Sequence, residues 1–335
     1  MEETVNLDAG SGGRASARLI ENVFLKYFGN EISRSGNDAA KLSGQEGSLA
    51  FSVDSYTVSP IFFPGGSIGS LAVTGTVNDV AMLGAEPEYL SAAFIIEEGF
   101  PLADLEKIAR DMADACDEAG VKIATGDTKV TPKGACDKIF ISTSGIGKIY
   151  AHRPPSGSAA KPGDVVLVSG TMGDHGLTVM AARKDASFIT DVKSDCAPLN
   201  GLIKEIIRTC GDVHVLRDPT RGGLATTLNE ISGQSGVGIE IDETVIPLNP
   251  AVADGCSCLG LDPLYLANEG KLICIVPADR AADALRVMRA SKYGQEAAII
   301  GKVIERDPGK VWLKTAIGGK RYLDMLEGAQ LPRIC

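Results

Sequence analysis

Five aspartates stand at positions from which they could form an all-oxygen metal site. Asp54, Asp127 and Asp218 each follow an apolar run that predicts a strand, whereas Asp38 and Asp79 each follow an asparagine. Because strand ends converge at one edge of a sheet, we expect these carboxylates to gather around Mg²⁺, which usually brings a nucleotide phosphate with it. A single aspartate of this kind is as often a turn or helix cap, so the prediction rests on the whole set.

Two glycine-rich segments could supply backbone N–H groups to a phosphate. Residues 10–13 precede the first predicted helix, and residues 221–223 precede a later one. A helix N-terminus with exposed N–H groups attracts anions, although paired glycines also form ordinary turns. The chain has no GxxxxGK[ST] motif and no GxGxxG motif after a strand. ATP, if bound, is therefore bound outside those two schemes.

Two further residues could act in the chemistry directly. Glu269 lies between an asparagine and a glycine at the mouth of a predicted strand, where it is either a general base or a plain turn carboxylate. The chain ends in Cys335, whose thiol is sterically open. Since Pro332 prevents a helix, residues 328–335 are expected to form an extended tail, which is either a frayed end or a carrier of the thiol.

The composition is that of a soluble globular protein, with 44% hydrophobic and 23% charged residues. The 43 acidic and 33 basic residues give a net charge of −10, which argues against nucleic acid or an anionic membrane as the partner. The start predicts no signal peptide, and the longest uncharged run, residues 55–78, is broken by prolines and glycines. Eight cysteines without a CxxC pair argue against a zinc site and favour a reducing cytoplasm.

The predicted elements divide the chain into two α+β halves. Residues 151–163 are rich in proline, glycine and serine and form the one clear linker. Strands and helices are intermixed on both sides of it. The best-defined helix is predicted over residues 101–119, which Pro101 begins and Gly120 ends.

These residues together resemble the family of the hydrogenase maturation factor HypE, within the superfamily of aminoimidazole ribonucleotide synthetase and selenophosphate synthetase. The similarity runs essentially from end to end. The aspartate motifs are shared across the superfamily, whereas the terminal Pro-Arg-Ile-Cys is far more specific. None of these motifs departs from the family pattern, although Asn37-Asp38 stands where relatives often carry two acidic residues. The matching segments are residues 10–13, 62–66, 78–81, 126–129, 173–176, 220–223, 268–271 and 332–335.

The resemblance implies a two-domain fold of the aminoimidazole ribonucleotide synthetase type, in the α+β class. Residues 1–150 would form an ATP-binding and dimerisation domain with a mixed sheet backed by helices. Residues 151–163 would be the linker, and residues 164–327 a C-terminal, sandwich-like domain of helices and strands. Residues 328–335 would be a mobile tail that carries Cys335.

The resemblance also implies a reaction: ATP-dependent dehydration of a carbamoyl group on Cys335 to a thiocyanate. Glu269 would take the amide proton, and Lys129 or Arg221 would stabilise the phosphate charge. The Mg²⁺ ligands would be Asp38, Asp54, Asp79, Asp127 and Asp218. The nucleotide contacts would be Gly12, Gly13, Asn78, Thr128, Gly222 and Gly223.

The partners implied are other maturation proteins. The carbamoyltransferase HypF would load the thiol, and the iron scaffold complex HypC-HypD would receive the cyanide for the nickel–iron centre. Relatives dimerise through their N-terminal sheets, so we expect a homodimer in which the apolar strand at residues 89–96 takes part. Two alternatives stay open: a superfamily synthetase acting on a free small molecule, which would not need Cys335, and a non-catalytic assembly scaffold, which would not hydrolyse ATP.

Overall fold

The computed structural model describes residues 4–10, 13–35, 40, 42, 46–183 and 188–325. Three of the predicted site residues, Gly12, Asp38 and Cys335, lie outside these ranges. Within them, no helix is long and apolar enough to cross a membrane.

The N-terminal half is built on a four-stranded sheet of order β1-β6-β4-β5. Strands β1 and β6 and strands β6 and β4 pair antiparallel, whereas β4 and β5 are parallel. A short π-helical stretch, Ile20–Phe24, joins the first two helices. The elements are α1 Gly13–Leu19, α2 Leu25–Phe28, β1 Leu49–Tyr56, β2 Phe62–Phe63, β3 Gly66–Ser67, α3 Ile68–Met82, β4 Ala85–Glu97, α4 Leu102–Ala119, β5 Lys122–Thr131 and β6 Ile139–Ile149.

Helix α3 is the central helix of this half, and almost all of its residues are buried. It begins at a capping box, in which the Ser67 hydroxyl accepts from the N–H of Ser70 and the Ser70 hydroxyl accepts from the N–H of Ser67. Its small residues allow close packing: a Cβ on Gly69 would stand 2.5 Å from the Ile108 carbonyl oxygen of α4. The predicted boundaries of α4 are confirmed, because Pro101 is its N-cap and Gly120 ends it in the left-handed region.

The C-terminal half has a seven-stranded sheet of order β13-β12-β9-β11-β7-β10-β8. Among the described strands of this sheet, β9 and β12 pair in parallel and the other neighbouring pairs are antiparallel. The faces of β7 alternate, so that Leu167 packs under α6 and α9, whereas Val166 and Val168 pack under α7. The elements are β7 Val165–Val168, α5 Asp174–Ala181, α6 Asn200–Cys210, β8 Val215–Arg217, α7 Gly223–Ser235, β9 Gly238–Asp242, α8 Pro250–Leu259, β10 Ile273–Val276, α9 Ala281–Ala290, β11 Ala298–Ile304, β12 Val311–Lys314 and β13 Lys320–Tyr322.

The two halves share buried apolar contacts. Leu177 of α5 and Val252 of α8 belong to the same core cluster as Leu71 of α3. The amide of Asn200 at the start of α6 donates to the carbonyl oxygen of Ala119, at 2.8 Å. The two halves are therefore packed against each other, and residues of both line the cavity described below.

Two of the predicted strand ends were placed too early. Asp54 lies inside β1, which continues to Tyr56, and Asp127 lies inside β5, which continues to Thr131. Both strands run on through polar residues because their partner strands extend the hydrogen-bonded ladder. Asp218 alone follows a strand directly, since β8 ends at Arg217.

Candidate functional site

The first part of the site lies where α3 packs under β1. The Ser52 hydroxyl of β1 donates to Asp79 Oδ2 of α3 at 2.7 Å. Asp54, two residues along, projects from the same face of the strand and accepts the N–H of Ser55 at 2.7 Å. Burial raises the pKa of Asp79, the Ser52 hydroxyl partly opposes this rise, and the Asp54 carboxylate adds to it.

Asp218 brings a third carboxylate from the C-terminal half. Burial, followed by repulsion from Asp79, raises the pKa of Asp218 to about 7. A cavity of about 320 Å³ lies between the halves, and Ser52, Asp79, Arg217 and Asp218 are among its lining residues. The cavity wall thus carries the carboxylates of Asp79 and Asp218, together with the guanidinium of Arg217.

Glu269 is buried next to this group, with 5% of its surface exposed. Burial raises its pKa well above the ordinary range, and the carboxylates of Asp218, Asp195, Asp54 and Asp79 each add to the rise. A raised pKa means that this carboxyl group holds its proton more tightly than an ordinary glutamate, and a cation bound to the neighbouring carboxylates would lower its pKa again.

Asn78, one of the predicted nucleotide contacts, lies against the segments around Ala197 and Glu269. Its side chain is buried, with 1% of the residue exposed. The amide nitrogen donates to the carbonyl oxygens of Ala197 at 3.1 Å and Glu269 at 3.4 Å, and the amide oxygen accepts the N–H of Leu199 at 2.7 Å. Asn78 therefore ties the backbone near Glu269 to α3. Both its amide nitrogen and its amide oxygen are hydrogen-bonded to backbone groups of the protein.

Two arginines near Asp218 in the sequence, Arg217 and Arg221, bring positive charge to the site. Arg217 and Arg221 both act to lower the pKa of Asp79, although burial outweighs them. Arg217 also pairs with Glu230, at 2.6 Å, while Arg221 is exposed. Arg221 thus remains accessible to an anionic ligand near the carboxylates.

The N-terminus of α7 follows directly and has no capping side chain. Gly222, its N-cap, and Gly223 both have positive φ, of 74° and 60°, which favours glycine at these positions. A Cβ on Gly223 would stand 2.5 Å from the Leu266 carbonyl oxygen. This uncapped helix start, whose N-cap Gly222 is four residues after Asp218, could bind a phosphate through its N–H groups.

The structure does not bring Asp127 and Lys129 to the other carboxylates within one chain. In β5 they pair with Ala93 and Ile95 on the outer face of the sheet, whereas Asp54 lies on the inner face. Three strand spacings separate Asp54 from the β5 segment, roughly 14 Å. Both side chains are more than half exposed and form an ion pair at 3.2 Å.

Thr128, between them, points to the inner face beside a second cavity. That cavity has a volume of about 360 Å³, and its walls include Phe24, Phe94 and Ala124. Gly13, a predicted nucleotide contact in the first glycine-rich segment, begins α1. The mixture of aromatic walls and a hydroxyl suits a planar ring with polar edges.

The carboxylates of the described residues offer at most a partial set of ligands for Mg²⁺. No group of three histidine, cysteine, aspartate or glutamate side chains within them stands ready to hold a metal ion. Mg²⁺ in proteins is commonly held by one or two carboxylates together with phosphate oxygens and water. The mutual repulsion of Asp79 and Asp218 fits such a partial ligand set, since a cation would relieve it.

The sequence did not single out several residues on which this geometry depends. They include Ser52, which fixes Asp79, and Arg217, which precedes Asp218. Asp195 also was not predicted; its carboxylate accepts the N–H of Glu269 at 3.0 Å. No local pattern marks these residues, because their partners lie far away in sequence.

Comparison with known proteins follows the division seen in the fold. Residues 36–149 match the model of the AIR synthase related protein, N-terminal domain, and residues 161–314 match that of the C-terminal domain. Together these matches cover most of the chain.

Individual relatives are similar over nearly the whole chain. Carbamoyl dehydratase HypE of Cupriavidus necator is 52% identical over 332 residues, which are 99% of this chain and 95% of that protein. A crystal structure of hydrogenase maturation protein HypE in complex with ATP is 57% identical, with a TM-score of 0.96, covering 99% of this chain and 100% of that one. A HypE chain from a HypE-HypF complex is 52% identical, with a TM-score of 0.81, covering 92% and 99%.

The α+β fold, the acidic cavity between the halves and these similarities over the full chain agree with one another. The chain belongs to the AIR synthase related family and, within it, to the HypE carbamoyl dehydratases of hydrogenase maturation.

Proposed function

We propose that this chain uses ATP and Mg²⁺ to dehydrate a carbamoyl group on its own Cys335 to a thiocyanate. The observation that supports this most directly is Glu269, a buried carboxyl group with a strongly raised pKa beside Asp54, Asp79 and Asp218. This arrangement places a proton acceptor next to carboxylates that suit a magnesium-bound phosphate.

The nucleotide would be held from both halves. A relative with a TM-score of 0.96 was crystallised in complex with ATP. In this chain the α7 N-terminus and Arg221 would bind phosphate, Gly12, Gly13 and Thr128 would lie near the nucleotide, and Asp79 and Asp218 would hold the cation. When bound, Mg²⁺ would neutralise charge on the transferred phosphoryl group.

The chemistry balances as two steps. In the first, the carbamoyl oxygen forms a bond to the γ-phosphorus, ADP leaves, and one N–H proton is lost. In the second, the C–O bond breaks, phosphate leaves with its electron pair, and the remaining N–H proton is lost, so that S–C≡N results. Glu269 would accept a proton from the amide nitrogen, and Arg221 or Lys129 would stabilise the phosphate charge.

The root of the tail supports delivery of the thiol to this site. The Tyr265 hydroxyl donates to the carbonyl oxygen of Asp324 at 2.7 Å, and Tyr265 lies only four residues before Glu269. From Met325 to Cys335 there are ten residues, which can span at most about 36 Å. A tail of this length would give the terminal thiol a reach of that order from its root.

The partners would be those of a maturation pathway. A relative that is 52% identical was crystallised with HypF, and we propose HypF as the source of the carbamoyl group on this chain. The cyanide would then pass to iron held by HypC-HypD.

A second copy of the chain would cover the outer face of the N-terminal sheet. Phe51 and Val53 of β1 are 71% and 62% exposed there, and Ile95 of β4 lies exposed on the same face. Lys129 and Asp127 lie on this same face, so in a homodimer they would face the partner copy and could reach its nucleotide. In that arrangement the predicted Asp127 ligand would act across the dimer interface.

Glu269→Gln and Asp79→Asn test the proposal. We expect Glu269→Gln to bind Mg-ATP with nearly unchanged affinity and to convert the carbamoylated protein at least 100-fold more slowly, because the proton acceptor is lost. Asp79→Asn should weaken Mg-ATP binding about tenfold or more. Calorimetric titration and intact-mass analysis measure the two effects.

The exposed Glu305→Gln is the matched control and should behave as the wild type. Conversion at the wild-type rate in both Glu269→Gln and Asp79→Asn would remove the roles assigned to these side chains.

A further inference from the structure

The position of Glu269 is not fixed by a regular element. Strand β10 begins only at Ile273, so the Glu269 backbone lies outside the sheet ladder. Its carbonyl oxygen accepts from Asn78, and its N–H donates to Asp195 Oδ1 at 3.0 Å. Two side chains from distant segments therefore hold both backbone groups of this residue.

Asp195 is itself tightly enclosed. Its side chain is 2% exposed, and Oδ2 lies 3.3 Å from Lys271 Nζ. That oxygen has no aligned hydrogen-bond donor among the described residues. The ion pair with Lys271 therefore offsets the cost of burying its charge. The Lys271 stem packs against Gly170, where a Cβ would stand 2.9 Å from Lys271 Cε.

The backbone of Asp195 also touches the Glu269 segment. A Cβ on Gly270 would stand 1.7 Å from the Asp195 carbonyl oxygen, so only glycine fits between them. On the other side, the N–H of Ser194 donates to the Pro64 carbonyl oxygen at 2.8 Å, and the Ser194 hydroxyl bonds His175 Nδ1 at 2.8 Å. The segment that presents Asp195 is thus anchored to both halves of the chain.

We infer that Asp195 is a positioning residue for Glu269: it fixes the backbone of the proposed base, and Lys271 holds the Asp195 carboxylate in place. This inference rests on the proposed function for its catalytic consequence. Its geometric content, that Oδ1 of Asp195 is the acceptor that orders the Glu269 amide, is independent of any reaction.

Asparagine and alanine at position 195 separate the acceptor from the charge. Asp195→Asn keeps Oδ1 as an acceptor, whereas Asp195→Ala removes it. We expect Asp195→Ala to slow conversion of the carbamoylated full-length protein about 10- to 100-fold, with the Mg-ATP dissociation constant within about threefold of wild type. Asp195→Asn should restore the rate to within about fivefold, and the exposed Asp191→Ala in the same segment is the control.

Hydrogen exchange provides the readout that does not need activity. We expect peptides that cover residues 266–272 to exchange at least tenfold faster in Asp195→Ala and near the wild-type rate in Asp195→Asn. Unchanged exchange and conversion in Asp195→Ala would overturn the inference. Loss of Mg-ATP binding and thermal stability in parallel with conversion would also overturn it, because that pattern indicates a structural role alone. A wild-type protein that fails to convert would contradict the proposed function, and the exchange data would still decide the positioning role.

Discussion

At the scale of single residues, the site holds buried carboxylates that repel one another. Asp218 follows β8 directly and lies near Asp79 of α3, which comes from the other half. Because both carboxylates are buried, water screens their charges poorly, and burial together with repulsion from Asp79 raises the pKa of Asp218. Arg217 and Arg221 offset this only in part. A bound cation would therefore stabilise the folded chain as well as its ligand.

Asp218→Asn should remove a pH-dependent cost of folding. The pKa of Asp218 is about 7 in the folded chain, whereas an aspartate in an unfolded chain has a pKa near 4. Because the unfolded chain releases this proton first, wild-type stability should fall as the pH rises from about 4 to about 7. In magnesium-free buffer we expect Asp218→Asn to gain roughly 1 to 3 kcal/mol relative to wild type over this range, measured by urea unfolding.

The exposed Asp137→Asn, at 67% side-chain exposure, should show no such trend. A free-energy difference between Asp218→Asn and wild type that is the same at pH 4 and pH 8 would contradict the raised pKa.

At the scale of elements, α7 combines packing and ligand binding in its first turn. Gly223 has φ of 60° and lies against the carbonyl oxygens of Leu264 and Leu266. This contact ties the start of α7 to the segment that leads to Glu269. Further along the same helix, a Cβ on Gly233 would meet no atom within 4 Å.

Alanine at these two glycines should have opposite effects. We expect Gly223→Ala to lower the free energy of unfolding by about 2 kcal/mol or more, through the left-handed backbone and the carbonyl contacts. It should also weaken Mg-ATP binding. Gly233→Ala should raise stability by about 0.5 to 1 kcal/mol. Urea unfolding and nucleotide titration measure both variants, and equal effects on stability would contradict the packing described here.

Elements with local signals were predicted well, and contacts between distant segments were not. Pro101 and Gly120 mark both ends of α4, and the structure confirms them. The ends of β1 and β5 were missed because pairing with neighbouring strands carries them through Asp54 and Asp127. The opposite orientation of Asp54 and Asp127 also depends on the register, which no single strand encodes. Likewise, the Asn78 amide meets groups more than 100 residues away.

At the scale of the whole molecule, the N-terminal sheet presents an apolar outer face. Phe51 and Val53 of the edge strand β1 project from it, and contiguous exposed apolar residues mark interaction surfaces. Lys129 and Asp127 stand at the opposite edge of the same face. A homodimer formed through this face would bury the apolar residues and place those charges near the partner's site.

Phe51→Glu should therefore prevent dimer formation, because a buried unpaired carboxylate is costly. We expect the wild type to sediment as a dimer in analytical ultracentrifugation and Phe51→Glu as a monomer. Ile317→Glu changes a residue that is 96% exposed and follows β12 in the other half, so it should remain dimeric. A monomeric wild type, or a dimeric Phe51→Glu, would contradict this assignment of the face.

The most direct test of the central claim is the mass of the terminal peptide that contains Cys335. Full-length protein would be carbamoylated with HypF, carbamoyl phosphate and ATP, purified, and given Mg-ATP in a single turnover. We predict that the carbamoyl adduct on Cys335 loses one water and that Cys335→Ser acquires neither group. A carbamoyl adduct that persists while ATP is consumed, or a thiocyanate formed on another residue, would contradict the account.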